Sequence, residues 1–223
     1  MTFSIIARCN KTGQFGAAIS SSSPAVASRC IKAKAGVGVA TSQNVTDPEL
    51  ASILLDLVKY NVSSSDAILE LVNNTDFIKY RQLTLIDSAT SPSAYTGSNA
   101  LGINSHVTGK DAVCAGNLLA NSKVPNRMLE AFENSKGSLA ERLLHALKAG
   151  ADAGGEAGAI HSSGLLVVDK LDWPIIDLRV DWSDRPIEDL DTLWEIYEPQ
   201  VDAYILRALN PEGAPSYGVP GDE

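Results

Sequence analysis

Thr2 stands directly behind Met1 at the head of an apolar run, MTFSIIAR, and a threonine there can serve in two ways. It is an ordinary strand residue, or, once Met1 is removed, it is the N-terminus itself, a hydroxyl nucleophile whose own α-amine acts as base. A residue as small as Thr at the second position permits loss of the methionine. A free α-amine has a reference pKa of about 7.7–8.0, so near neutral pH a useful fraction is unprotonated and able to take the hydroxyl proton.

Other polar residues stand where chemistry could use them. Ser20 to Ser23 form an unbroken run that either satisfies backbone groups of a loop or lines a site. Asn117, beside Gly116 in an apolar stretch, is either a buried amide at a bulge or a lining group. His161 is a lone histidine, while His106 and His145 read as loop and helix-surface residues. Three scattered histidines without paired carboxylates have no metal-ligand spacing, so neither a metal nor another cofactor is expected. Cys9, Cys30 and Cys114 are odd in number and lie in no CxxC pattern, which suggests apolar fillers in a reducing compartment.

The 223 residues are 44% hydrophobic, enough for one large core, and a single domain over residues 1–209 with a flexible tail over 210–223 is expected. Eighteen Lys and Arg against twenty-seven Asp and Glu give a formal charge of −9 with no basic run, which argues against nucleic acid and anionic membrane surfaces. No apolar run approaches the ~18 residues of a membrane span, and the first residues lack a signal-peptide pattern, so a cytoplasmic protein is expected.

The elements that must position these residues follow from pattern. Residues 3–8 and 15–21 are apolar or small runs either side of CNKTGQ and read as a β-hairpin. AGVGVATSQ, residues 35–43, reads as a strand buried on both faces. Thr46, Asp47 and Pro48 signal the start of a helix, and Ser64 or Ser65 caps a second. Strands are expected in RQLTLID, SAYTG and DAVCAGNLL, then two helices in VPNRMLEAFENS and SLAERLLHALKAGADAG. SSGLLVVDK and IIDLRVDW are further strands, and one long helix is expected from about Pro186 to Leu209. Strands come in groups rather than alternating with helices, which favours α+β, with two mainly antiparallel sheets face to face under helices on both outer sides.

The ordered series MTFSIIAR, AGVGVATSQ, AYTGS, AGNLLA, GSLAERLLHALKAGADAGGE, LLVVDK and DLRVDW resembles the DUF1028 family, whose members are assigned to the N-terminal nucleophile (Ntn) hydrolase fold. The resemblance runs over about residues 2 to 200. It implies a four-layer αββα sandwich whose first strand begins at the nucleophile, here Thr2. It also implies that the turn at Gln43 and Asn44, ahead of a helix starting near Asp47, receives the oxyanion on backbone N–H groups. Ser20, Ser21, Ser22, Asn117 and His161 would then line the substrate pocket. Arg29, Lys32 and Lys34 are the nearest cations that could tune the nucleophile, with Lys34 taken for that role.

Two stretches depart from the family pattern. Ser22 and Ser23 stand where a Lys and an aromatic commonly follow the second strand, and ISSSSPA carries no acid. EAGAIHSS, Glu156 to Ser163, replaces an Arg-Gly-Gln-Gln-like stretch. The leading expectation is therefore an Ntn-type hydrolase of a small amide or related C–N bond. The alternative is a non-catalytic protein that binds a small molecule in the same cleft. A homo-oligomer is compatible with either, because helices on both outer faces offer surfaces for pairing.

Overall fold

The computed structural model describes residues 1–221 of the chain. In chain order it runs β1 (Thr2–Arg8), β2 (Phe15–Ser21), α1 (Val26–Cys30), β3 (Ile31–Lys34), β4 (Gly38–Asn44), α2 (Pro48–Lys59) and α3 (Ser64–Asn74). There follow β5 (Arg81–Asp87), β6 (Ser93–Thr96), β7 (Ser105–Thr108), β8 (Ala112–Asn117), α4 (Val124–Asn134) and α5 (Leu139–Asp152). The chain closes with β9 (Ser162–Val168), β10 (Ile176–Val180), α6 (Pro186–Tyr197) and α7 (Val201–Leu209).

The strands form a six-stranded sheet in the order β10-β9-β2-β1-β8-β7 and a four-stranded sheet in the order β3-β4-β5-β6. Every pairing is antiparallel. The α4 and α5 helices cover the outer face of the larger sheet and meet Phe3, Ile5, Ala7 and Cys114 through Met128, Phe132, Leu143 and Leu147. On the other outer face α2 and α3 bring Leu50, Leu54, Ile68 and Leu71 onto Ala40, Leu83 and Leu85. Between the sheets lie Ile6, Phe15, Ala17, Ile19, Val39, Ile86 and Val113. Four layers, helix, sheet, sheet and helix, result, and burying each such side chain contributes roughly 1.5–3 kcal/mol.

The cap expected at Asp47 is present, whereas α3 is capped by Ser63, which accepts from the Asp66 N–H, because Ser64 and Ser65 already lie within the first turn. The Asp47 side chain accepts from the Glu49 N–H ahead of Pro48, and Ser138 with Glu141 forms a capping box at α5. The close seating of α5 on the larger sheet requires Gly16, because a Cβ there would stand 2.7 Å from Leu143 Cδ1 and 2.9 Å from the Leu166 carbonyl.

Several expected boundaries shift for physical reasons. The strand expected from residue 35 begins at Gly38, because Ala35 to Val37 form the turn from β3, with Gly36 at φ 69° and Val37 N–H donating to the Lys34 carbonyl at 3.1 Å. The helix expected over 186–209 is broken around Pro199, which has no N–H to continue the ladder, so α6 and α7 are joined by a 3-10 turn over Glu198–Gln200. The short α1, β3 and β7 were not expected, being five, four and four residues long. In the tail, Arg207 donates to the Pro215 carbonyl at 3.0 Å and lies 3.7 Å over the Tyr217 ring, so that segment folds back on α7. Residues 222–223 of the expected tail lie outside the described residues. No helix among those described is long and apolar enough to cross a membrane.

Candidate active site

β1 is a central strand, flanked by β2 and β8, and its first residue pairs in register with Asn117 of β8. Side chains alternate along a strand. Phe3, Ile5 and Ala7 face the α4 and α5 layer while Ile6 faces the other sheet, which places Thr2 and Ser4 on the inter-sheet face. The same alternation puts Ser21 of β2 and Asn117 of β8 on that face. The space between the sheets is thus apolar around Ile6 and Val113 and polar where β1 begins.

That polar end is tied together by side chains from both sheets. Ser4 Oγ donates to Gln43 Oε1 at 2.8 Å, and Gln43 Nε2 donates to Gln82 Oε1 at 2.8 Å. Asn117 Nδ2 donates to the same Gln82 oxygen at 3.1 Å, and Gln82 Nε2 returns a bond to the Gly116 carbonyl at 3.0 Å. All four side chains are buried. Asn117 Oδ1 is buried with no partner among the described residues.

Thr2 is buried and lies opposite Asn117 in the β1–β8 register. Its hydroxyl donates to the Met1 carbonyl, which also accepts from Ser21 Oγ at 2.5 Å. Ser21 Oγ is 2.8 Å from Ser23 Oγ, and Arg29 Nη2 donates to Ser23 Oγ at 2.9 Å and to the Pro24 carbonyl at 2.9 Å. Because the Ser21 hydroxyl proton goes to Met1, the Ser23 proton goes to Ser21. The direction is therefore fixed from Arg29 through Ser23 and Ser21 to the carbonyl attached to the Thr2 nitrogen.

An acid stands at the residue between the two relay serines. Glu156 is 5% exposed, and both of its carboxylate oxygens lie 3.1 Å from the Ser22 N–H. Burial pushes its pKa up to about 7, against the opposing pull of the N-terminal ammonium, the Ser22 hydrogen bonds and His161. The N-terminal charge and Arg29 also act on Cys30, whose thiol is nonetheless raised by burial. Gly155, at φ 56°, turns the chain after α5 so that Glu156 can bridge to Leu119.

The residues expected at the site divide into two sets. Thr2, Ser21, Ser22, Asn117 and His161 gather at this end of the larger sheet; the His161 N–H donates to the Ser21 carbonyl at 2.8 Å, and its ring stacks on Trp182 with centroids 4.4 Å apart. Ser20 is turned to the helix side by the strand period, and its hydroxyl donates to the Ser162 carbonyl at 3.0 Å. Gln43 lies within β4 rather than in a turn, its side chain spent on Ser4 and Gln82. Asn44 ends the same strand at φ 76°, donating to the Tyr80 carbonyl at 2.5 Å and accepting from Leu101 N–H at 3.1 Å. Lys34 pairs in register with Gly38, at the opposite end of β4 from Gln43, and its amine is 3.8 Å from Asp56. The cation that reaches Met1 and Thr2 through hydrogen bonds is Arg29.

Two contributors escaped the sequence reading. Glu156 lies in an AGGEAGA stretch that reads as the loose end of a helix. Ser23 reads as one of several interchangeable loop serines. No group of three or more His, Cys, Asp or Glu among the described residues could hold a metal ion.

No curated protein matches the chain. Among solved structures, a protein from Silicibacter pomeroyi, titled as a member of DUF1028, is 29% identical with a TM-score of 0.82, over 88% of this chain and 85% of that one. Eukaryotic HslV from Trypanosoma brucei is 13% identical with a TM-score of 0.48, over 76% of this chain and 99% of that one. A mutant Anbu from a Hyphomicrobium species is 10% identical with a TM-score of 0.47, over 91% and 97%. Residues 2–190 match the pattern of DUF1028, a family of unknown function, and the chain belongs to that family.

Proposed function

We propose that the protein is a hydrolase of the N-terminal nucleophile type, cleaving a small amide or related C–N bond with Thr2 as nucleophile once Met1 is removed. The observation that carries this reading is the directed relay from Arg29 through Ser23 and Ser21 to the carbonyl beside Thr2. With Met1 gone, the Thr2 α-amine accepts the proton of its own hydroxyl, and Oγ1 attacks the substrate carbonyl. Ser21, backed by the Arg29 charge, is placed to donate to the oxygen that gains negative charge, and a charge-assisted donor is stronger than a neutral one. Gln43, Gln82 and Asn117 act one layer back, holding β4, β5 and β8 in position around the nucleophile. Ser22 and His161 form the side of the pocket next to Glu156.

Intact-mass analysis is expected to find Met1 absent. A Thr2→Ala protein that keeps full turnover on a panel of small amides would overturn the reading. The unpartnered Asn117 Oδ1 favours a second reading, a protein that binds a small molecule without cleaving it. A retained ligand in native mass spectrometry, with no turnover on the panel, would select that one.

A further inference from the structure

The end of β1 away from Thr2 opens onto a cavity of about 570 Å³. Thr2 and Arg8 are the first and last residues of that strand, so the cavity lies about 20 Å from the candidate active site. Three pieces of the chain meet there with the end of β1: the β1–β2 turn, the α4–α5 loop over residues 135–137, and the first turn of α5. Each brings a cation. Arg8, Lys11, Lys136 and Arg142 line the cavity against one acid, Asp111. The chain as a whole carries a formal charge of −9, so this local positive excess runs against its composition.

Only Arg8 among the four is paired. Its Nε lies 2.9 Å from Asp111 Oδ1, and its Nη1 donates to the Asp87 and Thr90 carbonyls at 2.9 Å each, which fixes the guanidinium against the sheet. Lys11, Lys136 and Arg142 form no ion pair among the described residues. Arg142 is held in place without being matched in charge. Its guanidinium lies 3.9 Å over the Phe132 ring, Nη2 donates to the Phe132 carbonyl at 3.3 Å, and Nε is shielded from solvent with no partner among the described residues. Glu141, on the same helix, is occupied by the Ser138 N–H and hydroxyl at 2.7 and 2.9 Å. Like charges gathered in one cleft repel one another and focus a positive potential that draws in counter-ions. The half-buried Cys9 beside them responds to it: burial alone would raise its thiol, but hydrogen bonds from Thr12 and Lys11 and the Arg142 charge hold it below the usual thiol range.

We infer that this cavity is a second binding site, for a small phosphate monoester. Three unmatched cations suit a group that carries close to two negative charges on one phosphorus. A single carboxylate would leave most of that charge uncompensated. Lysine ammoniums act as point charges toward phosphate, and Arg142 adds a planar set of donors whose Nε is still unpaired. The phosphate group fills only part of the volume, and ligand cavities of this size hold the rest of a small molecule. The inference does not depend on the hydrolase reading, because none of the lining residues belongs to the Thr2 end of the sheets.

Calorimetric titration of the full chain at low salt tests it, with glycerol phosphate as the probe and succinate as a dianion of different chemistry. Saturable binding of glycerol phosphate is expected, at least about tenfold tighter than that of succinate. The Lys11→Gln/Lys136→Gln protein, changed at two exposed residues, is expected to bind glycerol phosphate at least about tenfold more weakly, while Lys59→Gln, an exposed change on α2, stays within about twofold. Alkylation reads the location separately. Cys30 and Cys114 are buried, so iodoacetamide labels Cys9 first, and saturating glycerol phosphate is expected to slow that labelling at least about fivefold. No saturable binding, equal binding of succinate, full affinity in the double variant, an equal loss in Lys59→Gln, or unchanged Cys9 labelling at saturation overturns the inference.

Discussion

The Ser22 N–H lies 3.1 Å from each carboxylate oxygen of Glu156, so a carboxyl group is fixed at the end of β2 although no acid occurs in the strand or in the serine run that follows it. The bond is made by backbone, which leaves the identity of Ser22 free and makes the identity of Glu156 the part that matters.

Stability is expected to fall as pH rises through neutrality because of this group. The Glu156 pKa is raised from 4.5 in an unfolded chain to about 7 in the folded one, chiefly by burial. Between those values the folded state keeps a proton that the unfolded state has released, so the contribution is fully present below 4.5 and lost as pH passes about 7. The charges of the N-terminal ammonium and His161 oppose the shift without outweighing burial. Urea midpoints at mildly acidic and mildly alkaline pH read the effect, and Glu156→Gln should flatten the difference. A wild-type protein that gains stability over that window would contradict it.

The relay from Arg29 should show in kcat more than in KM. Its guanidinium is two hydroxyls from the Met1 carbonyl, whose place we propose the substrate carbonyl takes, and a hydrogen bond to a charged group contributes about 1.5–3 kcal/mol. Arg29→Ala should therefore lower kcat by roughly tenfold to a hundredfold, with partial recovery in Arg29→Lys, which keeps the charge but not the length and planar fork that place one nitrogen between Ser23 and the Pro24 carbonyl. Lys34→Ala is expected to leave kcat within about twofold, since its contact with Asp56 is an exposed ion pair of little worth. Equal losses in Arg29→Ala and Lys34→Ala would remove the relay.

How much of this was legible in the sequence depended on whether burial alternates. The grouped strands and capped helices gave the layers, and Thr2 at the head of the first strand gave the candidate nucleophile. The strands that build the site, β1, β2, β4, β5 and β8, are buried on both faces, however, so hydrophobic periodicity carries no information about which side a residue takes. Ser20 and Ser21 are both fully buried, yet one faces α-helices and the other the site. Arg29 sits on a helix of five residues, too short to show a period, and Lys34 seemed as good a cation until β3 carried it away. Glu156 reaches its place through a positive-φ Gly155, a backbone turn whose direction no pattern of apolar residues encodes.

Gln82 is expected to be among the costliest buried residues to replace. Its oxygen accepts from Gln43 and Asn117, and its nitrogen donates to the Gly116 carbonyl and to Thr96 Oγ1 at 3.0 Å. Gln82→Leu keeps the bulk but takes this partner from two donors and two acceptors, each buried group left unpaired costing about 1–3 kcal/mol. A loss of at least about 3 kcal/mol in urea unfolding is expected, together with lower activity, because β8 carries Asn117 beside Thr2. A loss under about 1 kcal/mol would mean that the amides find other partners or water.

Asp87 gives the opposite pH signature from Glu156, and the pair can be told apart by titration. Burial alone would raise the Asp87 carboxyl, but hydrogen bonds from Thr90, Ala89 and Ser64 outweigh it and hold the pKa below the usual 3.8. Ser64 donates through its N–H at 3.0 Å and its hydroxyl at 2.8 Å, and Ala89 through its N–H at 2.7 Å, so the carboxylate fastens the start of α3 to the end of β5. The stability it supplies is complete above the unfolded value and is lost as pH falls through the lower folded one. Asp87→Asn should therefore destabilise the protein at neutral pH, by roughly 1.5–3 kcal/mol per charged bond weakened, while narrowing the gap from wild type below pH 3.8. Urea unfolding across that range checks both halves, and a variant whose deficit stays constant into acid would show that packing, not charge, holds the joint.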